Sequence, residues 1–136
     1  MKKSLFYFAT AISLLAFDGN AEYKNYMNEL KNEAKQNDPK FSGFDANNGK
    51  EIFFSKHKVD GQEISCASCH SNNLKQNGKN FKTNKTIEPL SPLANKLRLT
   101  SQKEMKKWLK RNFNDVYRRE GTAKEKGDVL EFISQN

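Results

Sequence analysis

Residues 66–70 read Cys66-Ala67-Ser68-Cys69-His70. Two cysteines three positions apart, followed at once by a histidine, form the attachment motif of a c-type haem. In a helical turn, side chains at this spacing point the same way, so both thiols can reach the two vinyl groups on one edge of a porphyrin. The next residue, His70, then supplies the proximal nitrogen ligand of the iron. The motif therefore predicts one covalently attached haem c.

Other uses of this motif find little support in the rest of the chain. A structural zinc site takes four ligands, usually cysteine and histidine. The cysteines and histidines of the chain are Cys66, Cys69, His57 and His70. Cys69 and His70 are adjacent and cannot easily share one tetrahedral ion. A thioredoxin-like pair would stand in a βαβ pattern, which is not visible, and a simple disulfide would leave His70 without a role.

The first 21 residues have the organisation of a secretory signal peptide. Two lysines precede a short apolar run over residues 5–17, and small residues follow up to Ala21. The apolar run is too short to cross a bilayer. We expect cleavage near Ala21, with an uncleaved anchor as the alternative, export to the periplasm, and a single monohaem domain over residues 22–136. Export agrees with the haem motif, because c-type haem is attached outside the cytoplasm.

The composition suits a chain that folds around a prosthetic group. The 136 residues are enough for one domain, yet only 35% of them are hydrophobic. A porphyrin would add the apolar surface that such a chain lacks. We therefore expect the apoprotein to be largely unfolded.

The formal net charge of +8 has two interpretations. One is a genome that favours lysine and asparagine codons. The other is steering of the haem edge toward an acidic redox partner, such as a multihaem or membrane-bound cytochrome, or toward an anionic membrane surface. Nucleic acid is not an expected partner, because the chain is exported and carries no recognition motif.

Apolar residues recur at three- and four-residue steps, which predicts an all-α domain of several helices. The first helix is predicted from Glu22 to Gln36. A second begins near Asp45, a suitable N-cap. The last is predicted from Ala123 to Ser134, with Thr122 and Glu125 as a capping box.

A glycine in the second predicted helix marks a close helix crossing. Gly49 and Phe53 are four residues apart and share one face. A glycine inside a helix costs about 1 kcal/mol relative to alanine and usually has a packing reason. Cytochromes c resemble this arrangement, since a first helix with a glycine and an aromatic crosses the C-terminal helix.

The segments on either side of the motif are predicted as loops. Lys56 to Ser65 is polar, and the lysines beside His57 favour a solvated position over a second iron ligand. Ser71 to Lys85 is also polar and long, which in a compact domain indicates disorder or function. We expect the chain after His70 to drape over the porphyrin edge, with Leu90 and Leu93 packed on the ring.

Ser101 and Glu104 predict a capping box for a helix that ends near Asn114. The apolar stripe of this helix consists of Met105, Trp108, Leu109 and Phe113. Asn112 falls on the same stripe, where a polar amide costs roughly 1–3 kcal/mol unless it finds a partner.

Periodicity alone leaves two roles open for Asn112, iron ligand and helix cap. Its amide could bind a ferric iron that lacks a sixth ligand, or it could cap the C-terminus of the helix. Met105 is the rival distal ligand, because thioether ligation is the commoner arrangement in electron-transfer cytochromes c. A methionine on an apolar stripe, however, is more often core filler.

Several segments resemble one cytochrome family over nearly the whole mature chain. They are residues 49–55, 66–70, 87–92, 107–112, 118–120 and 125–128. These segments resemble the SHP-type (sphaeroides haem protein) class I-like monohaem cytochromes c and relatives grouped as a domain of unknown function. The Trp-x-x-Arg-Asn element that ends at Asn112 is the specific part. The resemblance implies a cytochrome c fold, with helices wrapped around one covalently bound haem.

The resemblance also assigns roles to residues of the predicted distal helix. It implies that Asn112 is the distal ligand, which leaves when the iron is reduced and opens a site for oxygen, nitric oxide or carbon monoxide. Trp108 would pack beside the haem, and Arg111 would approach a propionate or stay at the surface. The family usually has a disulfide near this asparagine, and Phe113 and Gly121 stand at those positions here.

The sequence thus favours an electron carrier and ligand-binding haem protein over an enzyme. His70 and Asn112 are its predicted axial ligands. A conventional electron shuttle with Met105 as ligand is one alternative. A small haem enzyme acting on peroxide or nitric oxide is another, and only His57 is available as its distal acid–base residue.

Overall fold

A computed structural model describes residues 16–136, so most of the predicted signal segment lies outside the described residues. The described chain forms five helices and two short antiparallel hairpins. The helices are α1 (Ala21–Asn37), α2 (Ala46–Phe54), α3 (Ala67–His70), α4 (Gln102–Tyr117) and α5 (Ala123–Ser134). The strands are β1 (His57–Val59), β2 (Gln62–Ile64), β3 (Gly78–Lys79) and β4 (Thr86–Ile87). Within residues 16–136, no helix is long and apolar enough to cross a membrane.

Helix α1 follows its predicted bounds to within one residue at each end. Its buried side chains are Tyr23, Tyr26, Leu30 and Ala34, as the three- and four-residue spacing predicts. Asn20 caps the helix by accepting a hydrogen bond from Tyr23 N at 2.9 Å, and its amide donates to Thr100 O at 3.0 Å. The cap therefore ties the start of α1 to the chain just before α4.

Helices α2 and α5 cross at Gly49, which confirms the predicted close approach. A Cβ atom at Gly49 would overlap the backbone carbonyl of Asp128 and lie 3.0 Å from Cβ of Phe132. Phe53, on the same face of α2, is buried against Phe132 with ring centroids 5.6 Å apart. The missing side chain thus sets how closely the two helices approach.

A buried carboxylate joins the same two helices. Asp128 of α5 is fully buried, and its Oδ1 accepts a hydrogen bond from Asp45 N, the N-cap of α2, at 2.8 Å. Its Oδ2 accepts from Asn48 Nδ2 and from Lys124 Nζ, each at 2.6 Å. Buried charge is tolerated only with such partners. These bonds fix the position of the start of α2 on α5.

Helix α5 has its predicted bounds and the predicted capping box. Thr122 Oγ1 accepts from Glu125 N at 3.2 Å, and Glu125 Oε2 accepts from Thr122 N at 2.8 Å. Arg119 forms a bidentate ion pair with the Glu125 carboxylate, with N–O distances of 2.6 and 2.8 Å. The hydrogen bonds from Arg119, followed by those from Thr122, lower the pKa of Glu125 to about 2.

Replacing Glu125 by glutamine is expected to lower the free energy of unfolding by about 0.5–1 kcal/mol at pH 7, because glutamine keeps the hydrogen bond from Thr122 N but loses the ion pair with Arg119. Because the pKa of Glu125 is depressed by folding, its stabilisation is present above about pH 4.5 and is lost as the pH falls toward 2. The gap between wild type and variant should therefore narrow over that range in urea unfolding. Glu51→Gln, at an exposed carboxylate of α2, is the control. A gap that stays constant with pH would contradict this account.

The polar segment before the motif is not the loop that its composition predicts. Strands β1 and β2 pair antiparallel, with His57 opposite Ile64 and Val59 opposite Gln62. Val59 and Ile64 are buried and pack against Val116 of α4. Each strand has three residues, of which only one is buried. So short a pattern cannot be recognised as a strand from the amino-acid sequence.

The polar stretch after the motif also contains a hairpin. Gly78 pairs with Ile87 and Lys79 with Thr86. The turn is organised by Asn80, whose Oδ1 accepts hydrogen bonds from Lys82 N at 2.9 Å and Thr83 N at 3.0 Å. We call residues 78–87 the lysine hairpin.

Candidate haem site

The motif forms a short helix whose two thiols are free. Residues Ala67–His70 make a single turn, with Cys66 at its N-cap position. His70 N donates to Cys66 O at 3.1 Å, and Ser68 Oγ accepts from Ser65 N at 2.9 Å. Cys66 and Cys69 are not joined to each other. Burial raises the pKa of Cys66 to about 11, so its thiol is neutral at physiological pH.

Two adjoining cavities of about 570 and 210 Å³ open beside this turn. The residues that line both are Cys66, His70, Trp108 and Asn112. We call the combined space the cleft. Its larger part lies between the lysine hairpin and α4, and its smaller part is lined mainly by apolar residues of α4, α5 and the chain before α4.

His70 is held as a neutral base in the cleft. Burial, with a contribution from the positive charge of Arg98, lowers the pKa of His70 to about 4. Its Nδ1 is buried and has no hydrogen-bond partner. A neutral imidazole is the form that binds iron. Two free thiols, this imidazole and apolar walls in one cleft fit the attachment of a haem c.

Helix α4 continues well past Asn112, so the capping alternative is wrong. The helix ends at Tyr117, and Arg118 forms its C-cap with φ of 57°. Asn112 lies in the body of the helix and is half-buried. It lines both parts of the cleft. The predicted end near Asn114 was too early because Val116 and Tyr117 continue the packed face beyond it.

The predicted capping box of α4 is only half formed. Ser101 Oγ accepts from Glu104 N at 3.3 Å, but the Glu104 carboxylate turns the other way. Its Oε2 accepts a hydrogen bond from Trp108 Nε1 at 3.1 Å. Trp108 is 41% exposed, and the Arg111 guanidinium lies 5.5 Å from its ring centroid. Glu104 therefore orients the indole at the rim of the cleft.

The remaining predicted site residues divide between the cleft and the surface. Arg111 is exposed at the rim of the larger cavity, with its Nε 3.8 Å from Asp115. Leu90 lines the smaller cavity. Leu93 is 42% exposed and lines neither cavity, so the structure does not support its predicted packing on the ring. A leucine three residues from a half-buried one is a weak signal in a segment without regular structure.

The two alternative ligands have different positions. Met105 is buried and lines the smaller cavity. His57 lines neither part of the cleft, and its ring packs on Tyr117 with centroids 4.0 Å apart. In the part of the chain that the structure describes, no three His, Cys, Asp or Glu side chains form a metal-binding cluster.

Arg98 is a residue of the cleft that sequence reasoning missed. Its Nε donates to Pro89 O and its Nη2 to Glu88 O, both at 2.8 Å, and it lines the smaller cavity beside His70. Burial lowers its pKa. An arginine in an irregular segment carries no pattern that reveals it, although a charged side chain near a haem suits a propionate.

Phe113 and Gly121 are packed directly against each other. A Cβ atom at Gly121 would lie 2.8 Å from the ring of Phe113. The ring therefore needs the glycine opposite it. This contact joins α4 to the start of α5 at the two positions where the resemblance implies a disulfide in other members.

A helical fold with a Cys-x-x-Cys-His turn in an apolar cleft defines a c-type cytochrome. A family model described as a domain of unknown function, DUF1924, matches residues 39–133, and the chain belongs to this family.

Two curated proteins with similar sequences are also c-type cytochromes. Cytochrome c'' of Methylophilus methylotrophus is 32% identical over 115 residues, covering 84% of this chain and 78% of that protein. The cytochrome c-type protein SHP of Cereibacter sphaeroides is 35% identical over 91 residues, covering 66% and 70%. The predicted resemblance to SHP-type cytochromes is thereby confirmed, and the relatives support haem as the cofactor.

Solved structures show the same fold. Oxidised cytochrome c'' matches with a TM-score of 0.75 at 29% identity, over 82% of this chain and 92% of that one. Oxidised SHP, described as an oxygen-binding cytochrome c, matches with a TM-score of 0.73 at 29% identity, over 85% and 97%. The predicted all-α cytochrome c fold is confirmed.

Proposed function

We propose that the chain is an exported monohaem electron-transfer protein whose distal site opens on reduction to small diatomic ligands such as oxygen, nitric oxide or carbon monoxide. Cys66 and Cys69 would hold the haem covalently, with His70 and Asn112 as axial ligands. The observation that carries the proposal is the position of Asn112. It is a polar residue in the body of α4 that shares the cleft with His70.

The residues of the cleft have distinct roles in this proposal. A bound haem would supply one-electron redox chemistry and, when ferrous, affinity for diatomic molecules. Asn112 would coordinate through its hard amide oxygen, which ferric iron holds better than ferrous iron does. The side chain would therefore leave on reduction. Helix α4 remains anchored by the buried side chains of Leu109 and Phe113, so the site can open by a movement of Asn112 alone.

The two alternative functions would depend on other residues, Met105 and His57. A conventional electron shuttle would use Met105, which is buried and lines the smaller cavity. The enzyme alternative needs a distal acid–base residue, and His57 lies outside the cleft. Periplasmic localisation belongs to the proposal and is supported by the signal-like N-terminus and the haem motif. A multihaem or membrane-bound cytochrome as redox partner also belongs to it and is supported by the net charge of +8.

Asn112→Ala is expected to change the oxidised protein and to leave the reduced one nearly unaltered. The ferric absorption and electron paramagnetic resonance spectra should shift toward high spin, because a ligand has been removed. The reduced wild type should already be high-spin, so the variant should bind carbon monoxide at the same rate to within about twofold. If the amide binds ferric iron ten times more tightly than ferrous iron, its loss raises the reduction potential by about 59 mV.

Asn114→Ala is the matched control, since Asn114 lies on the exposed side of the same helix. It should leave both oxidation states unchanged. An unaltered ferric spectrum in Asn112→Ala would contradict the proposal. Loss of a sulfur-to-iron charge-transfer band in Met105→Leu would establish the electron-shuttle alternative instead.

A further inference from the structure

The lysine hairpin forms one wall of the cleft and carries positive charge that its own segment does not balance. Residues 71–87 contain four lysines and no aspartate or glutamate. Three of these lysines, Lys79, Lys82 and Lys85, belong to the hairpin and are exposed. None of the three forms an ion pair with a described residue, whereas eight other basic residues of the described chain do.

The backbone that carries these lysines has a defined turn. Besides the two hydrogen bonds to Asn80 Oδ1, Asn80 N donates to Lys85 O at 2.9 Å and Asn84 N donates to Asn80 O at 2.8 Å. The turn between the strands is therefore closed on itself. A backbone that is already ordered loses less entropy when a partner binds than a flexible loop does.

The hairpin is seated directly on the haem-attachment turn. A Cβ atom at Gly78 would overlap the carbonyl oxygen of Cys69. Lys82 and Lys85 line the larger part of the cleft together with Cys69. A protein that docks on the hairpin would thus be placed at the edge of the cleft where the thiols lie.

Two exposed aromatic side chains, one on the hairpin and one on α4, lie beside this positive wall. Phe81, at the turn of the hairpin, is 40% exposed, with the Lys82 ammonium 5.6 Å from its ring centroid. Trp108 is 41% exposed across the cleft. The one carboxylate that lines this cavity belongs to Asp115, which faces Arg111 at 3.8 Å.

We propose that the lysine hairpin, with Phe81 at its tip, is the docking surface for an acidic redox protein that exchanges electrons at the adjacent edge of the cleft. Clustered charge of one sign speeds association with an oppositely charged partner by 10- to 10³-fold, and the effect falls with ionic strength. This inference rests on the proposed electron-transfer function. It adds the surface that is used and the chemistry of the partner.

The test uses the holoprotein and flavodoxin hydroquinone, a small acidic electron donor. The hairpin variant carries Lys79→Gln, Lys82→Gln and Lys85→Gln. The matched control carries Lys31→Gln, Lys35→Gln and Lys40→Gln, at exposed positions in and just after α1, and has the same net charge. Stopped-flow reduction rates and the affinity for oxidised flavodoxin, from NMR titration, are measured at low ionic strength.

The hairpin variant is expected to be reduced about tenfold more slowly than wild type and to bind oxidised flavodoxin correspondingly more weakly. The control should differ from wild type by less than twofold. The difference should vanish near 1 M salt, where the Debye length is about 3 Å. Equal effects in both variants, or none in either, would overturn the docking surface.

Two further measurements separate the remaining explanations. Reduced methyl viologen, a small cation that a positive docking surface repels, should reduce the hairpin variant no more slowly than wild type. If it fails to reduce wild-type holoprotein, the electron-transfer function itself is wrong. If the hairpin variant loses binding to phosphatidylglycerol vesicles while its reaction with flavodoxin is unchanged, the hairpin binds membranes and the proposed partner is overturned.

Discussion

Replacing both Cys66 and Cys69 by alanine is expected to abolish holoprotein formation. The chain is only 35% hydrophobic, and its cleft walls are apolar. Without the covalent link, the haem would no longer be retained in the cleft, and the apolar walls would be left exposed to water. Export of the variant should give little folded protein, and no haem should remain with the chain on a denaturing gel stained for haem.

The two single variants, Cys66→Ala and Cys69→Ala, are the matched controls. Each keeps one thiol and His70, so each should retain haem in reduced yield. A double variant that still carries haem through denaturation would show that the attachment lies elsewhere. A double variant that folds normally without haem would contradict the dependence of the fold on the cofactor.

Gly49→Ala is expected to destabilise the holoprotein by roughly 3 kcal/mol or more. The new Cβ would overlap the carbonyl oxygen of Asp128, which belongs to backbone and cannot rotate away. The two helices would have to separate, and the hydrogen bonds from Asp45 and Asn48 to the buried Asp128 carboxylate would lengthen. Guanidinium unfolding of the holoprotein, followed by circular dichroism, measures the loss.

The sign of this effect is informative, because alanine is a better helix former than glycine by about 1 kcal/mol. Without a close crossing, Gly49→Ala would stabilise α2. Gly43→Ala is the control, since a Cβ at Gly43 meets nothing within 4 Å and should change stability by no more than about 0.5 kcal/mol. Equal stability of the two variants would contradict the proposed role of the α2–α5 crossing.

The sequence predicted those features that have local signals. The bounds of α5 follow from a capping box at Thr122 and a run of apolar residues. The crossing at Gly49 follows from a glycine four residues before an aromatic. The haem turn follows from five consecutive residues. Each of these signals involves residues close in sequence, so no knowledge of tertiary packing is needed to read them.

Features that depend on tertiary packing were missed or misplaced. The short β1–β2 hairpin is stabilised because Val59 and Ile64 pack against Val116 of α4, which is distant in sequence. The end of α4 extends to Tyr117, whose hydroxyl donates to Ile52 O at 2.7 Å. Arg98 lines the cleft only because the backbone at Glu88 and Pro89 accepts its hydrogen bonds. The predicted cleavage near Ala21 and the export of the chain remain predictions.

A crystal structure of the ferric holoprotein tests the central claim most directly, because it identifies the atom that faces the iron opposite His70. We predict the side-chain amide oxygen of Asn112 in that position, with thioether bonds to Cys66 and Cys69. Sulfur of Met105 there, or an imidazole nitrogen, would contradict the redox-gated site and leave a conventional electron carrier.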